Sequence, residues 1–210
     1  MPSTEVISAT DPESISKAAF ILNKGGVIVY PTDTLYGIGA LASNNQAVER
    51  IFEIKGRPHG KPIPLLIKNL EMLSQIAENS PLASTLSERY WPGALTIILK
   101  QKAILPELIT CGTGKIALRI SAHPFLNSLF ELVDEPLTST SANISGDNNI
   151  SDSEELFETF NGKVDLIVDS GKIPESRGST IVDLTLDPPQ VLREGDINSA
   201  ILKEFIDGHS

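Results

Sequence analysis

The 210-residue chain has one cysteine, Cys111, so no disulfide can form within it and packing alone must hold its core. Aromatic residues make up only 5% of it, and no apolar run approaches the ~20 residues that a membrane-spanning helix needs. The N-terminal MPSTEVISATDPES lacks the basic start and apolar centre of a secretory signal. A cytoplasmic location with no membrane attachment is therefore expected. Positive charge is scarce too: 17 Lys and Arg against 27 Asp and Glu leave a net charge of −10. A broad nucleic-acid surface needs clustered cations, so any RNA contact is expected to be local.

Several catalytic signatures are missing as well. Gly112-Thr-Gly-Lys115 lacks the upstream glycine of a phosphate loop and continues into Ile116. His59, His123 and His209 do not have metal-ligand spacing and no cysteine pair exists, so no protein-held metal is expected. There is no G-x-S-x-G elbow. Gly37, Gly39 and Ala42 spell G-x-G-x-x-A, but Pro-Thr-Asp-Thr-Leu-Tyr separates them from the preceding strand, and the chain is basic where a dinucleotide fold places an acid. The Rossmann reading fails on that context.

What remains is an ordinary globular composition, 40% hydrophobic, enough for one domain core. Strand patterns fall at Val27–Tyr30, Pro64–Lys68, Ala94–Lys100, Lys115–Ser121, Pro136–Ser141, Val164–Asp169, Ser179–Leu184 and Gln190–Arg193, with helical patterns between most of them. Thr10-Asp-Pro-Glu is expected to cap a helix running to about Lys24, with Ile15, Ala18, Ala19 and Leu22 on one stripe and Gly25 past its end. The grammar is that of an α/β domain. Little helix separates the last three strands, which predicts a mixed sheet.

Four segments place polar groups where strands end. In Lys55-Gly-Arg57-Pro-His59-Gly-Lys61-Pro, a proline after Arg57 favours extended backbone, so Lys55 and Arg57 are expected on one side. Charge alone favours a solvated basic loop, but two prolines and two glycines fix this backbone. In Lys115-Ile-Ala-Leu-Arg-Ile-Ser121, Arg119 falls opposite the apolar face, between small neighbours that leave room for a two-bond fork on a carboxylate or phosphate. A plain exposed strand arginine fits that pattern as well. Period two puts Ser139, Ser141 and Asn143 on one face, suited to phosphate oxygens or to a strand ending in an Asx turn. The last pairs Arg177-Gly-Ser-Thr180 with Val191-Leu-Arg-Glu-Gly195, either of which also reads as a turn.

Together PTDTLYGIGALA, KGRPHGKPIPLLI, YWPGALTIIL, IALRISAHP, STSANISG, RGSTIVDLT and VLREG, in this order and spacing, resemble the YrdC-like threonylcarbamoyl-AMP synthases. The resemblance implies an α/β fold, a twisted sheet of parallel and antiparallel strands with flanking helices around a large positively charged central cleft. It implies a short single-domain form over residues 10–206, with 1–9 and 207–210 as terminal extensions.

The implied activity is nucleotidyl transfer: L-threonine and bicarbonate form a carbamate that attacks the α-phosphate of ATP, giving threonylcarbamoyl-AMP and pyrophosphate for tRNA modification. Such chemistry needs positioning and charge neutralisation, not a protein nucleophile. The resemblance implies catalytic roles for Lys55 and Arg57, ATP contacts from these with Ser141, Asn143 and Arg193, and threonine contacts from Thr32, Arg119, Ser139 and Ser179. Thr34 and Lys61 would support them. Mg²⁺ would be held mainly by the phosphates, and downstream tRNA-modification proteins would receive the product. After Ser-Gly the chain departs from the family with Asp147-Asn-Asn149-Ile-Ser151, which puts one nucleotide contact in doubt. The alternatives are an RNA-binding module of the same fold and a carbamoyl-transferring relative.

Overall fold

The computed structural model describes residues 3–209. In chain order the elements are β1 (Glu5–Ser8), α1 (Ser14–Asn23), β2 (Ile28–Tyr30), β3 (Gly37–Gly39), α2 (Asn45–Lys55), β4 (Leu65–Leu66), α3 (Leu70–Ile76), α4 (Pro81–Tyr90), β5 (Leu95–Lys100) and α5 (Glu107–Thr110). They continue with β6 (Lys115–Arg119), α6 (Pro124–Leu129), β7 (Leu137–Thr138), β8 (Thr140–Ser141), α7 (Ser153–Phe160), β9 (Leu166–Asp169), β10 (Thr180–Asp183), β11 (Gln190–Arg193) and α8 (Ser199–Asp207). Among the described residues no helix is long and apolar enough to cross a membrane.

The fold is α/β with parallel and antiparallel pairing, as expected, but the strands form two sheets where one was expected. The first runs β1-β9-β2-β3-β8 and the second β11-β10-β5-β6-β4-β7. The stretch read as one strand, Pro136–Ser141, is where they meet. Its first half, β7, pairs with β4 of the second sheet, and its second half, β8, pairs with β3 of the first. Ser139 lies at the crossing, its N–H donating to the Pro64 carbonyl at 2.8 Å.

Alternation along β2 explains how one strand serves both sides. Val27 and Val29 enter the larger apolar cluster, while Ile28 and Tyr30 enter the smaller one under α1 and α6. β3 was not expected as a strand. A Cβ on Gly39 would stand 2.0 Å from the Thr138 carbonyl oxygen, and one on Gly37 would stand 2.9 Å from the Tyr30 ring. The room these glycines leave is therefore filled by the protein's own Thr138 and Tyr30, which lets β3 sit against β2 and the crossing strand.

Two local readings change. α1 starts at Ser14, not at a Thr10 cap: the Glu13 N–H donates to Asp11 Oδ1 at 2.8 Å, and Thr10 instead pairs with the Ser8 hydroxyl. Residues 1–9 were set apart as an extension, yet Glu5–Ser8 runs parallel to β9 as an edge strand. Helix α8 reaches Asp207 of the other extension, and residues 1, 2 and 210 lie outside the described residues.

Candidate active site

A cleft of about 1020 Å³, open mouth included, lies where β3 and β8 of the first sheet approach β4, β5, β6 and β10 of the second. Among the described residues its lining carries five positive side chains, Arg57, Lys61, Arg119, Arg177 and Arg193, and no Asp or Glu. In a chain of net charge −10 that concentration is a local reversal of sign. Thr32, Thr34, Ser139, Ser141 and Ser179 line the same space, so nine of the eleven residues proposed from the sequence converge on it.

The two that do not line it are Lys55 and Asn143. They were expected to project with Arg57 and with Ser141. Helix α2 is capped by Asn44, whose side chain accepts from the Ala47 N–H, and it ends at Gly56 with φ of 58°. That left-handed residue separates the two cations: Lys55 turns inward and Arg57 turns to the cleft. Lys55 is 1% exposed and its ammonium donates to the Ser141 carbonyl at 2.5 Å, the Asn143 carbonyl at 2.5 Å and Asn143 Oδ1 at 3.2 Å. Ser141 Oγ donates to the same Asn143 Oδ1 at 2.6 Å. Lys55 and Asn143 thus form a buried brace behind the cleft wall. Burial, with Arg57 and Lys61 nearby, pushes the Lys55 ammonium down to about 7. The three oxygen acceptors favour the charged form and oppose that shift.

Arg57 is half-buried and held by backbone oxygens: Nε donates to the Lys61 carbonyl at 3.0 Å and Nη2 to the Pro62 carbonyl at 2.6 Å. The loop that carries it therefore folds back to orient its own guanidinium. Arg193 is held in the same manner, with Nε and Nη2 donating to the Ser179 carbonyl at 3.1 and 2.7 Å. This joins the two motifs at residues 177–180 and 191–195. Ser179 Oγ in turn shares a hydrogen bond of 2.7 Å with Thr96 Oγ1.

Arg119 differs. It is 7% exposed on β6, an interior strand, which rules out the plain exposed arginine. Its Nε donates to the Gly93 carbonyl at 2.9 Å, Nη1 to Thr34 Oγ1 at 2.9 Å and Nη2 to Asp33 Oδ1 at 2.6 Å. Ser121 Oγ also donates to Asp33 Oδ1. Burial pushes the Asp33 carboxyl up, but the Arg119 charge and the hydrogen bonds from Ser121 and Arg119 outweigh it and hold it below the usual carboxylate range. Five N–H groups less three leave Arg119 two donors for a ligand. Thr32 Oγ1 accepts from the backbone N–H groups of Thr34 and Leu35 at 3.1 Å each, shaping the turn that presents Asp33 and Thr34.

Sequence reasoning missed Asp33, although it stands inside the PTDTLYG stretch; its partner lies 86 positions away. It also left Thr96, Thr140 and Asn149 out of the site, and all three line the cleft. Asn149 belongs to the divergent 147–151 stretch, so a polar group does reach the cleft from there. Among the described residues no group of three or more His, Cys, Asp or Glu is placed to hold a metal ion.

Comparison with known proteins adds the following. Residues 20–195 match the family model Sua5_yciO_yrdC, described as telomere recombination. A relative from Pyrococcus abyssi named threonylcarbamoyl-AMP synthase is 39% identical over 181 residues, which cover 86% of this chain and 53% of the relative. The chain thus spans about half the length of that relative. The structure of P. abyssi Sua5 complexed with L-threonine superposes with a TM-score of 0.90 at 35% identity, covering 98% of this chain and 61% of that one. The structure of Escherichia coli YciO superposes with a TM-score of 0.85 at 34% identity, covering 94% of this chain and 98% of that one.

Proposed function

The chain belongs to the Sua5/YciO/YrdC family, and on that premise we propose that it condenses L-threonine, bicarbonate and ATP into threonylcarbamoyl-AMP, releasing pyrophosphate. The observation that carries this reading is the cleft lining: five cations and a set of hydroxyls with no carboxylate and no nucleophile–base pair. That inventory suits a reaction between bound anions, in which the protein orients reactants and offsets negative charge. It is supported by the synthase name of the P. abyssi relative and by the L-threonine complex of Sua5.

In this reading the two remaining N–H donors of Arg119 take the threonine carboxylate, with Thr32, Ser139 and Ser179 around the amino acid. Arg57, Arg193, Ser141 and Lys61 take the phosphates. Lys55 and Asn143 act on the nucleotide through the wall they brace, which keeps Ser141 in place and adds positive potential from behind. Mg²⁺ would be held mainly by the phosphates of the nucleotide and would offset their charge; a lining rich in hydroxyls and free of carboxylates fits a metal that arrives with its nucleotide. In this reading a tRNA-modification enzyme consumes the labile product, and a cytoplasmic location is consistent with that role.

The test is release of pyrophosphate from ATP with threonine and bicarbonate each omitted in turn. The proposal expects release to need both. Release that is indifferent to threonine, or nucleic-acid binding that falls steeply with salt and ignores threonine, would overturn it.

A further inference from the structure

Arg177 lines the cleft but has no part in the assignments proposed for its other four cations. Its side chain is 64% exposed, with Nη1 at 3.1 Å from Glu194 Oε1. An ion pair this exposed is worth little over water and exchanges readily. Glu194 has a second engagement that outlasts such an exchange. Its Oε2 accepts from the Ser199 N–H at 2.9 Å and from the Ser199 hydroxyl at the start of α8.

The backbone around Arg177 is anchored, whereas its exposed side chain is held through the ion pair with Glu194. The Arg177 N–H donates to Asp196 Oδ1 at 2.8 Å, and the Ser176 hydroxyl donates to Asp196 Oδ2 at 2.5 Å. Gly178 has φ of 81°, and its N–H donates to Ser176 Oγ at 2.9 Å. A Cβ there would stand 3.6 Å from Arg193 Nη2, so Arg193 packs directly on the glycine that follows Arg177. Arg57 and Arg193 are held by carbonyl oxygens, whereas Arg177 alone among these three is held by a carboxylate it can leave.

We propose that Arg177 is a movable phosphate-binding residue of the cleft, resting on Glu194 and transferring to phosphoryl oxygens when a pyrophosphate group binds beside Arg193. A planar guanidinium suits the change, since its fork fits phosphate as well as carboxylate. The inference deepens the proposed function by adding a phosphate contact to that site, but it requires only anion binding, not turnover.

The experiment is calorimetric titration of the full chain with inorganic pyrophosphate at fixed ionic strength, in the wild type, Arg177→Ala, Glu194→Gln and the double variant, with thermal melting to confirm folding. Arg177→Ala is expected to weaken pyrophosphate about tenfold, the low end for a charge-assisted hydrogen bond. Glu194→Gln frees the guanidinium and is expected to tighten binding about two- to fivefold, a gain that vanishes when Arg177 is already alanine. Equal pyrophosphate affinity in the wild type and a folded Arg177→Ala would overturn the inference. So would a Glu194→Gln gain that persists without Arg177, because it would report general field strength. Pyrophosphate that fails to bind the wild type overturns it too. Should threonine-dependent turnover be absent while the affinity pattern holds, the synthase reading fails and the role of Arg177 stands.

Discussion

Two parts of the cleft wall hold their arginines in different ways. On the β6 wall, Arg119 is buried and ion-paired with Asp33 at 2.6 Å. Elsewhere in the lining, Arg57 on the loop after α2 and Arg193 on β11, a strand of the same sheet as β6, are held by carbonyl oxygens of residues 61, 62 and 179, with no acid in contact among the described residues. A carbonyl fixes geometry and leaves the full positive charge for a ligand; a carboxylate fixes geometry and cancels most of it. The paired wall therefore offers directed hydrogen bonds with little net field, which suits one carboxylate of an amino acid. The carbonyl-held wall offers field, which suits a polyphosphate. The difference gives a physical reason for the proposed division of the cleft between threonine and ATP.

The sharpest way to break this comparison is to remove the acid. Asp33→Asn leaves Arg119 buried without a counter-charge and is expected to lower stability by about 3 kcal/mol, the lower end for breaking a buried pair because the amide keeps one acceptor. The pH dependence follows from the lowered Asp33 pKa. A carboxylate whose folded value lies below its unfolded value contributes stability above the unfolded pKa, and that contribution is lost as pH falls through the folded one. Wild-type melting should therefore drop more steeply on acidification below about pH 4 than melting of Asp33→Asn. Equal melting of the two proteins at pH 7 would mean that the walls do not differ in this way.

Similar in size, Arg57→Ala is expected to reduce pyrophosphate release about a hundred- to a thousandfold with the fold intact, as loss of a principal charge-stabilising donor does. A folded variant with near-normal turnover would remove the carbonyl-held wall from the chemistry. Arg119→Lys should raise the threonine concentration for half-maximal rate about ten- to a hundredfold, since an ammonium cannot reproduce the fork, while the ATP requirement moves much less. If ATP dependence moves and threonine dependence does not, the walls have been assigned the wrong way round. The smallest effect belongs to the brace. Replacing Ser141 and Asn143 together by Ala removes a cleft hydroxyl and the Oδ1 acceptor shared by Lys55 and Ser141, and is expected to weaken ATP about tenfold in calorimetry. Unchanged affinity would leave residues 141–143 with a packing role only.

Much of this was legible in the residues themselves. Each strand candidate contains a strand, because period-two patterns of β-branched residues are local properties. The apolar stripe of α1 was readable for the same reason: Ala18, Ala19 and Leu22 are buried as their helical spacing requires. Four of the five cleft cations, Arg57, Lys61, Arg119 and Arg193, were assigned to the site through the motifs that carry the family resemblance; Arg177 was not. Short-range chemistry also allowed 177–180 and 191–195 to be singled out, although not the bonds from Arg193 to Ser179 that join them.

Other features were decided only when distant segments met. β3 carries two glycines and reads as a loop; it is a strand because Tyr30 and Thr138 fill the space its side chains would need. The apparent single strand at 136–141 is divided because β4 claims its first half and β3 its second. Lys55 and Arg57 stand two apart in the sequence and end on different sides of a wall, because a left-handed glycine between them turns the chain. Asp33 and Arg119, 86 positions apart, form the pair that sets the character of one wall. Sequence spacing determines which way a side chain leaves its own element; which charge it meets there depends on what the rest of the chain brings to that point, and that is set by packing.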